Sequence, residues 1–295
     1  TAGVWAKGLV ATYAEGTDNQ FDDQFNAVSC SSPGNCTAAG YFRTVGGAPP
    51  NKKGMTQTST NGVWAVAVPA TFDAETHVDE FRAISCTATG SCTAVGTGSI
   101  PAPPDPGCPD CSGGFVGKPM TQTSTSGTWA RAQAATFEAD FFWSDGTSFD
   151  AVSCTSPGNC TAAGSYHGDG QVFQKGGVTQ TSTNGVWATA EVAGLPTGVQ
   201  ANEQVGLTAI SCTSPGNCTA GGYFLVQPPV EGPVSRQPTP KLSETDSKGF
   251  TQRLINTANL TDTGIDPTWP LVLGFALIAA GSALVRRRRP QHRPA

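Results

Sequence analysis

The feature that most constrains this chain is a fourfold internal repeat. NAVSCSSPGNCTAAGYF at 26–42 returns as RAISCTATGSCTAVGTG at 82–98, DAVSCTSPGNCTAAGSY at 150–166 and TAISCTSPGNCTAGGYF at 208–224. A tryptophan recurs with it, at Trp5, Trp64, Trp129 and Trp187, so that successive copies lie 59, 65 and 58 residues apart. A period near 60 residues marks a repeated supersecondary unit, and a unit too small to bury its own face must pack on its neighbours.

Inside a unit, apolar residues alternate with polar ones or form short runs between turn signals, which is the pattern of strands. Phe25–Cys30 (FNAVSC) reads as a first strand, SSPGN as a tight turn and Cys36–Phe42 (CTAAGYF) as a second strand. A Gly- and Pro-rich variable loop leads to a third strand at Met55–Thr60, an Asn61-Gly62 turn and a fourth strand at Val63–Val68. Asn-Gly between β runs marks a type I′ hairpin, since both central residues need positive φ. With 36 Gly, 22 Pro and 13% charged residues, the composition also favours punctuated β structure over helices.

The expectation is an all-β fold: a β-propeller-like array of four-stranded antiparallel blades, about four repeats visible, over residues 1–226. The units fall near 1–68, 69–133, 134–191 and 192–226 plus 249–253. The chain opens on a fourth-strand sequence (Val4, Trp5, Ala6), and its last unit supplies first (Leu207–Cys212), second (Cys218–Phe224) and third (Gly249–Arg253) strands. One arrangement open to the chain is that the two ends complete one shared blade and close a four-bladed ring. Starting at Thr1 inside a repeat, without a signal peptide, reads either as a processed chain or as a truncated frame lacking its export signal and earlier repeats, the second being favoured. In that case the natural ring has more blades and this stretch is an open part of it.

The ten cysteines form five close pairs, which fits an oxidising, extracytoplasmic compartment. Cys30/Cys36, Cys86/Cys92, Cys154/Cys160 and Cys212/Cys218 each span a tight turn, so that each pair sits within disulfide reach on neighbouring strands. Metal binding is the rival, but the pairs lie in separate units and the only histidines are His77, His167 and His292. Cys108-Pro-Asp-Cys111, in a loop inserted only in the second unit, reads as a loop-closing disulfide. A redox centre there would need a helix start to lower a thiol pKa, and the sequence supplies none. Asn35, Asn159 and Asn217 match the N-x-[ST] pattern, but they belong to the repeated turn and read as turn chemistry.

The tight turns fall on one rim and the variable loops on the other. The crossing loops of that second rim are acidic: Glu15, Asp18, Asp22 and Asp23, then Asp73, Glu75, Asp79 and Glu80, then Glu138, Asp140, Asp145 and Asp150. They offer a Ca2+ site, a surface for a basic partner, or solubility alone. Residues 1–285 carry 12 basic against 22 acidic side chains, a balance that repels nucleic acid.

TSTNGVW at 58–64, TSTSGTW at 123–129 and TSTNGVW at 181–187 resemble degenerate Asp-box hairpins of sialidase-like propellers. The S-C-x5-C-T-A-x-G unit resembles repeats in exported actinobacterial proteins. A sialidase-like glycoside hydrolase would imply an arginine cluster, a Tyr/Glu nucleophile pair and an acidic proton donor. Residues 1–226 hold only Arg43, Arg82 and Arg131, and the tyrosines are Tyr13, Tyr41, Tyr166 and Tyr223, three of which fall at or beside repeat positions. No catalytic residue is assigned, no Ser/His/Asp arrangement is legible, and no resident metal is expected.

Beyond Phe224 the chain turns Pro-rich (227–259), the composition of an extended spacer. There follow Leu260-Thr261-Asp262-Thr263-Gly264, an uncharged apolar run at 269–285, and Arg286, Arg287, Arg288 and Arg289 in the tail 286–295. Seventeen residues at about 1.5 Å each reach the lower limit for a bilayer-spanning helix, and the arginines would hold the tail in the cytoplasm. This order resembles the LPxTG-type cell-wall sorting signal of Gram-positive surface proteins. The resemblance implies sortase and cell-wall peptidoglycan as partners, cleavage between Thr263 and Gly264, and a membrane anchor before processing. The function expected is non-enzymatic binding or adhesion to an extracellular ligand, with a structural wall component as the alternative and a sialidase-like glycoside hydrolase as the third reading.

Overall fold

A computed structural model of the chain describes residues 11–12, 23–43, 52–72, 77–101, 115–137, 147–167, 175–194, 204–226 and 246–254. Regular structure among these residues is entirely β, arranged as four antiparallel sheets, one per repeat. The first holds β1 (Gln24–Ser32), β2 (Asn35–Arg43), β3 (Lys52–Thr60), β4 (Val63–Trp64) and β5 (Val68–Pro69). The second holds β6 (His77–Ala88), β7 (Ser91–Pro101), β8 (Phe115–Thr125), β9 (Thr128–Trp129) and β10 (Gln133–Ala134). The third comprises β11 (Ser148–Ser156), β12 (Asn159–His167), β13 (Lys175–Thr183), β14 (Val186–Trp187) and β15 (Glu191–Val192). The fourth is β16 (Gln204–Ser214), β17 (Asn217–Val226) and β18 (Asp246–Leu254).

Turn chemistry fixes the register. Asn61 and Gly62 have φ of 51° and 84°, as the Asn-Gly signal requires, and Ser126-Gly127 and Asn184-Gly185 repeat them. At the other hairpin Gly34 has φ 79°, and a Cβ there would lie 2.8 Å from Gly62 N, so only glycine fits. The two turns are locked together: Gly62 N donates to Gly34 O at 2.8 Å and Ser59 Oγ to the same carbonyl at 2.9 Å. Asn35 is consumed in this junction, its Oδ1 accepting from Asn61 N and its Nδ2 donating to Ser32 Oγ.

The fourth strand departs from the continuous run expected at 63–68. It is split into β4 and β5, both paired to β3, because the chain between them turns its polar groups elsewhere. Gln57 Nε2 donates to Ala65 O at 2.7 Å, and Ala67 N donates to Thr12 O at 2.7 Å. The same detour recurs in the next two units, where Ala132 N reaches Thr71 O and Ala190 N reaches Thr136 O. These bonds tie each unit to the segment before it.

The cores lie between sheets. Adjacent residues of the second strand face opposite ways: Ala94 packs back against the first unit, while Val95 packs forward against the third. Ala162 and Ala163 divide in the same manner. The first strand of each following unit lies across the sheet before it, carrying Phe81, Phe149 and Leu207 into the three junctions, each 0% exposed. A hydrogen bond repeats at every junction, from Cys86 N to Ser29 Oγ, Cys154 N to Ser85 Oγ and Cys212 N to Ser153 Oγ, at 2.9 to 3.1 Å.

The sheets run in series and, among the described residues, do not close into a barrel or propeller. This corrects the closed four-bladed ring, one of the two arrangements expected from the repeat, in favour of an open series. Each sheet is propagated by laying the next first strand on its open face, and no described strand of the fourth sheet forms that junction with β1. The expected third strand of the last unit is present as β18, whereas the proposed fourth strand at Val4, Trp5 and Ala6 lies outside the described residues. So do the apolar run 269–285 and the tail.

One repeat position supplies an internal control. Phe81→Ala removes a ring sealed between two sheets and should cost about 3–5 kcal/mol. Phe25→Ala at the equivalent but exposed place should cost well under half of that. Denaturant unfolding of both variants measures the difference.

Candidate functional site

All four tight-turn disulfides form: Cys30–Cys36, Cys86–Cys92, Cys154–Cys160 and Cys212–Cys218. Their Cα atoms are 3.9 to 4.0 Å apart, closer than most antiparallel pairs, and the first cysteine's amide points to the preceding unit. The Thr37 hydroxyl lies 3.4 Å from Cys92 Sγ, and Thr93 and Thr161 repeat the contact with Cys160 and Cys218. A disulfide sulfur has no proton, so the threonine donates. These cysteines are thus committed to the frame. Cys108 and Cys111, the motif Leu260, Thr261, Asp262, Thr263 and Gly264, and Arg286, Arg287, Arg288 and Arg289 lie outside the described residues.

The opposite rim carries the ionic chemistry. Of the twelve acidic residues assigned to it, Asp23, Asp79, Glu80 and Asp150 are described. Glu80 and Asp150 are joined through Arg82, whose Nε donates to Glu80 Oε1 at 2.6 Å and whose Nη1 donates to Asp150 Oδ1 at 2.7 Å. Arg82 Nη1 also reaches Ser148 Oγ at 2.8 Å, and Lys52 Nζ pairs with Glu80 Oε2 at 3.0 Å. Lys52 belongs to the first unit, Glu80 and Arg82 to the second, and Asp150 to the third. One chain of charges therefore spans three units, where isolated surface pairs would contribute little.

Burial raises the Glu80 carboxyl, but hydrogen bonds from Arg82 and Lys52 outweigh it and hold its pKa below the usual range. The Arg82 guanidinium is likewise disfavoured by burial and then held charged by Asp150 and Glu80, so its pKa rises. Asp79 is the contrary case. Desolvation lifts its pKa despite the bond from Ser99 Oγ to Oδ2 at 2.6 Å, and its Oδ1 is buried without a hydrogen-bond partner.

Aromatic groups flank these charges. His77 stands edge-on between Phe72 and Phe115, with centroids 5.2 and 5.9 Å away, and Lys52 Nζ lies 4.2 Å from the centre of the Tyr41 ring. Phe115 is exposed. The rim thus combines an exposed aromatic surface with fixed charges, a composition suited to contact with a ligand. Among the described residues no group of three His, Cys, Asp or Glu is placed to hold a metal. Arg43 ends β2, Arg131 lies between β9 and β10, and Arg82 is held in the ionic chain. Tyr166 packs into the junction of the second and third sheets, where burial raises its pKa. No family model matches the chain, and no curated protein matches it.

The acidic bias of the rim was readable in the sequence, but its linkage across units was not, because Lys52 sits 28 residues from Glu80 and Arg82 sits 68 residues from Asp150. The contact of His77 with Phe115 likewise joins residues far apart in sequence.

Opposite pH responses follow from the two neighbouring acids. Glu80 titrates lower folded than unfolded, so its pairing stabilises the fold above its unfolded value near about 4.3 and is lost as pH falls through the folded value. Asp79 titrates higher when folded, so ionising it costs stability as pH rises from its unfolded value near about 3.9 through the folded one. Thermal melts should show Glu80→Gln lowering Tm at pH 7 and Asp79→Asn raising it. Both differences should vanish in strong acid.

Proposed function

We propose that this chain is a non-enzymatic, envelope-anchored surface protein whose repeat domain presents its loop rim to an extracellular ligand. The observation that carries this reading is the division between the two rims. On one, the Pro-Gly and Asn-Gly turns, Asn35, Ser59 and the disulfides satisfy one another. On the other are exposed Phe115, in ring contact with His77, and an ionic chain that crosses three units and includes Lys52, which lies over the Tyr41 ring. A rigid frame with its polar aromatic groups on one edge suits recognition.

Anchoring rests on sequence order alone: Leu260-Thr261-Asp262-Thr263-Gly264, then the apolar run, then four arginines. In this reading sortase joins the Thr263 carbonyl to a cell-wall amine, which fixes the chain to peptidoglycan. Mass spectrometry of wall-released protein should find a C-terminus at Thr263. Recovery of Gly264 and the following span would sink the sortase step.

Glycan-array and wall-polysaccharide binding tests the rim. Substituting Tyr41 and Phe115 by alanine should weaken binding at least about tenfold, a loss of roughly 1.4 kcal/mol, while Thr89→Ala at the exposed opposite turn should leave it unchanged. Equal binding by all variants would place recognition elsewhere, and turnover of sialosides or other glycosides would replace binding by hydrolysis.

A further inference from the structure

We propose that the junction of the third and fourth sheets binds a planar aromatic group of the indole class, in a slot that tryptophan fills at the two junctions before it. The position of each tryptophan is set by strand pairing. Trp129 pairs with Ser124 and Ser124 with Cys92, while Trp187 pairs with Ser182 and Ser182 with Cys160. Cross-strand partners project from one face, so each indole shares the face of its cysteine, toward the preceding unit. Trp129 packs there against the cluster holding Ala70, Ile84, Cys92 and Ala94, and Trp187 against the cluster holding Ala135 and Ala162.

The fourth unit breaks the series. Leu254 pairs with Cys218, as Ser124 and Ser182 pair with their cysteines. The fifth residue after each serine is the tryptophan, but the fifth after Leu254 is Asn259. Asn259 lies outside the described residues. Among the described residues no aromatic ring packs against the cluster of this third junction, which Ile210 flanks. A cavity of about 70 Å³ opens there instead. Its walls include Ala193, Ile210, Cys218 and Ala220, the counterparts of Ala70, Ile84, Cys92 and Ala94 around Trp129.

The lining selects the ligand. The alanine and isoleucine side chains offer water no hydrogen bond, so displacing water with a flat apolar ring is favourable. Thr179 and Glu191 supply the polar side, and both can accept from the N–H of an indole. Val192, 41% exposed, stands at the mouth. A bound ring therefore enters by one edge and stays partly exposed, as Trp129 and Trp187 are partly buried. The slot shares no residue with the ionic chain of the loop rim, so its occupation does not depend on recognition there.

Fluorine NMR of 5-fluoroindole titrated with the full chain tests the proposal. One site per chain is expected, with a Kd of about 1 mM or tighter. Ala220→Leu fills the slot from its wall and should weaken binding at least about tenfold, with Tm unchanged or raised. Ala162→Leu, the same change at the second junction, should lower Tm because Trp187 already holds that space. Val192→Trp, at the exposed mouth, repeats the block if Ala220→Leu melts early. Competition by N-acetyl-tryptophanamide and by a GVWA peptide then separates a free aromatic ligand from a tryptophan carried on a strand. No saturable binding, or binding that Ala220→Leu and Val192→Trp leave unchanged, overturns the proposal. Equal loss of Tm in Ala220→Leu and Ala162→Leu overturns it too, since another group would then fill the third slot.

Discussion

The structure depends on the way one first strand lies across the preceding sheet. The cysteine pair sits where the strand's amide is not used by its own ladder, so the Cys86, Cys154 and Cys212 amides are available to Ser29, Ser85 and Ser153. A buried amide left unpaired would cost about 1–3 kcal/mol, so the junction forms only when the serine of the previous unit is in register. The aromatic or leucine knob five residues before each cysteine then enters a gap bounded by alanine or valine. Hydrogen bonding sets the register, and apolar burial supplies most of the stabilisation.

That junction separates the molecule into a committed edge and an available one. At the turn edge, glycine carbonyls, asparagine amides and serine hydroxyls are already engaged with each other. At the loop edge Arg82 bridges Glu80 to Asp150 of the next unit. The ionic chain both stiffens that edge and neutralises acids that the sequence displays as a uniformly negative rim. Asp79 sits beside it without a cationic partner in hydrogen-bond contact, and burial keeps its proton affinity high.

Local structure was legible wherever a residue acts on its near neighbours. Asn61-Gly62, Asn184-Gly185 and the Pro-Gly turns fixed the hairpins, and the C-x5-C spacing fixed four disulfides, because each involves residues at most a few positions apart. The split of the fourth strand was not legible. Val63–Val68 has the composition of an unbroken strand, and only the carbonyl of Thr12, 55 residues before Ala67, draws its middle out of the ladder. In the same way nothing in the spacing of Lys52, Arg82 and Tyr41 places them together, and distant strands bring them to one edge.

By itself the sequence determined the unit: strands, turns, cross-strand disulfides and the two unlike edges, all consequences of backbone conformation and short-range spacing. Tertiary structure alone decided how units are joined. The repeat implies that neighbours pack, but it does not contain the angle at which one sheet lies on the next, and that angle decides between an open series and a closed ring. It is set by the fit of Phe81, Phe149 and Leu207 against residues of the sheet before, a shape that exists only once both sheets have formed.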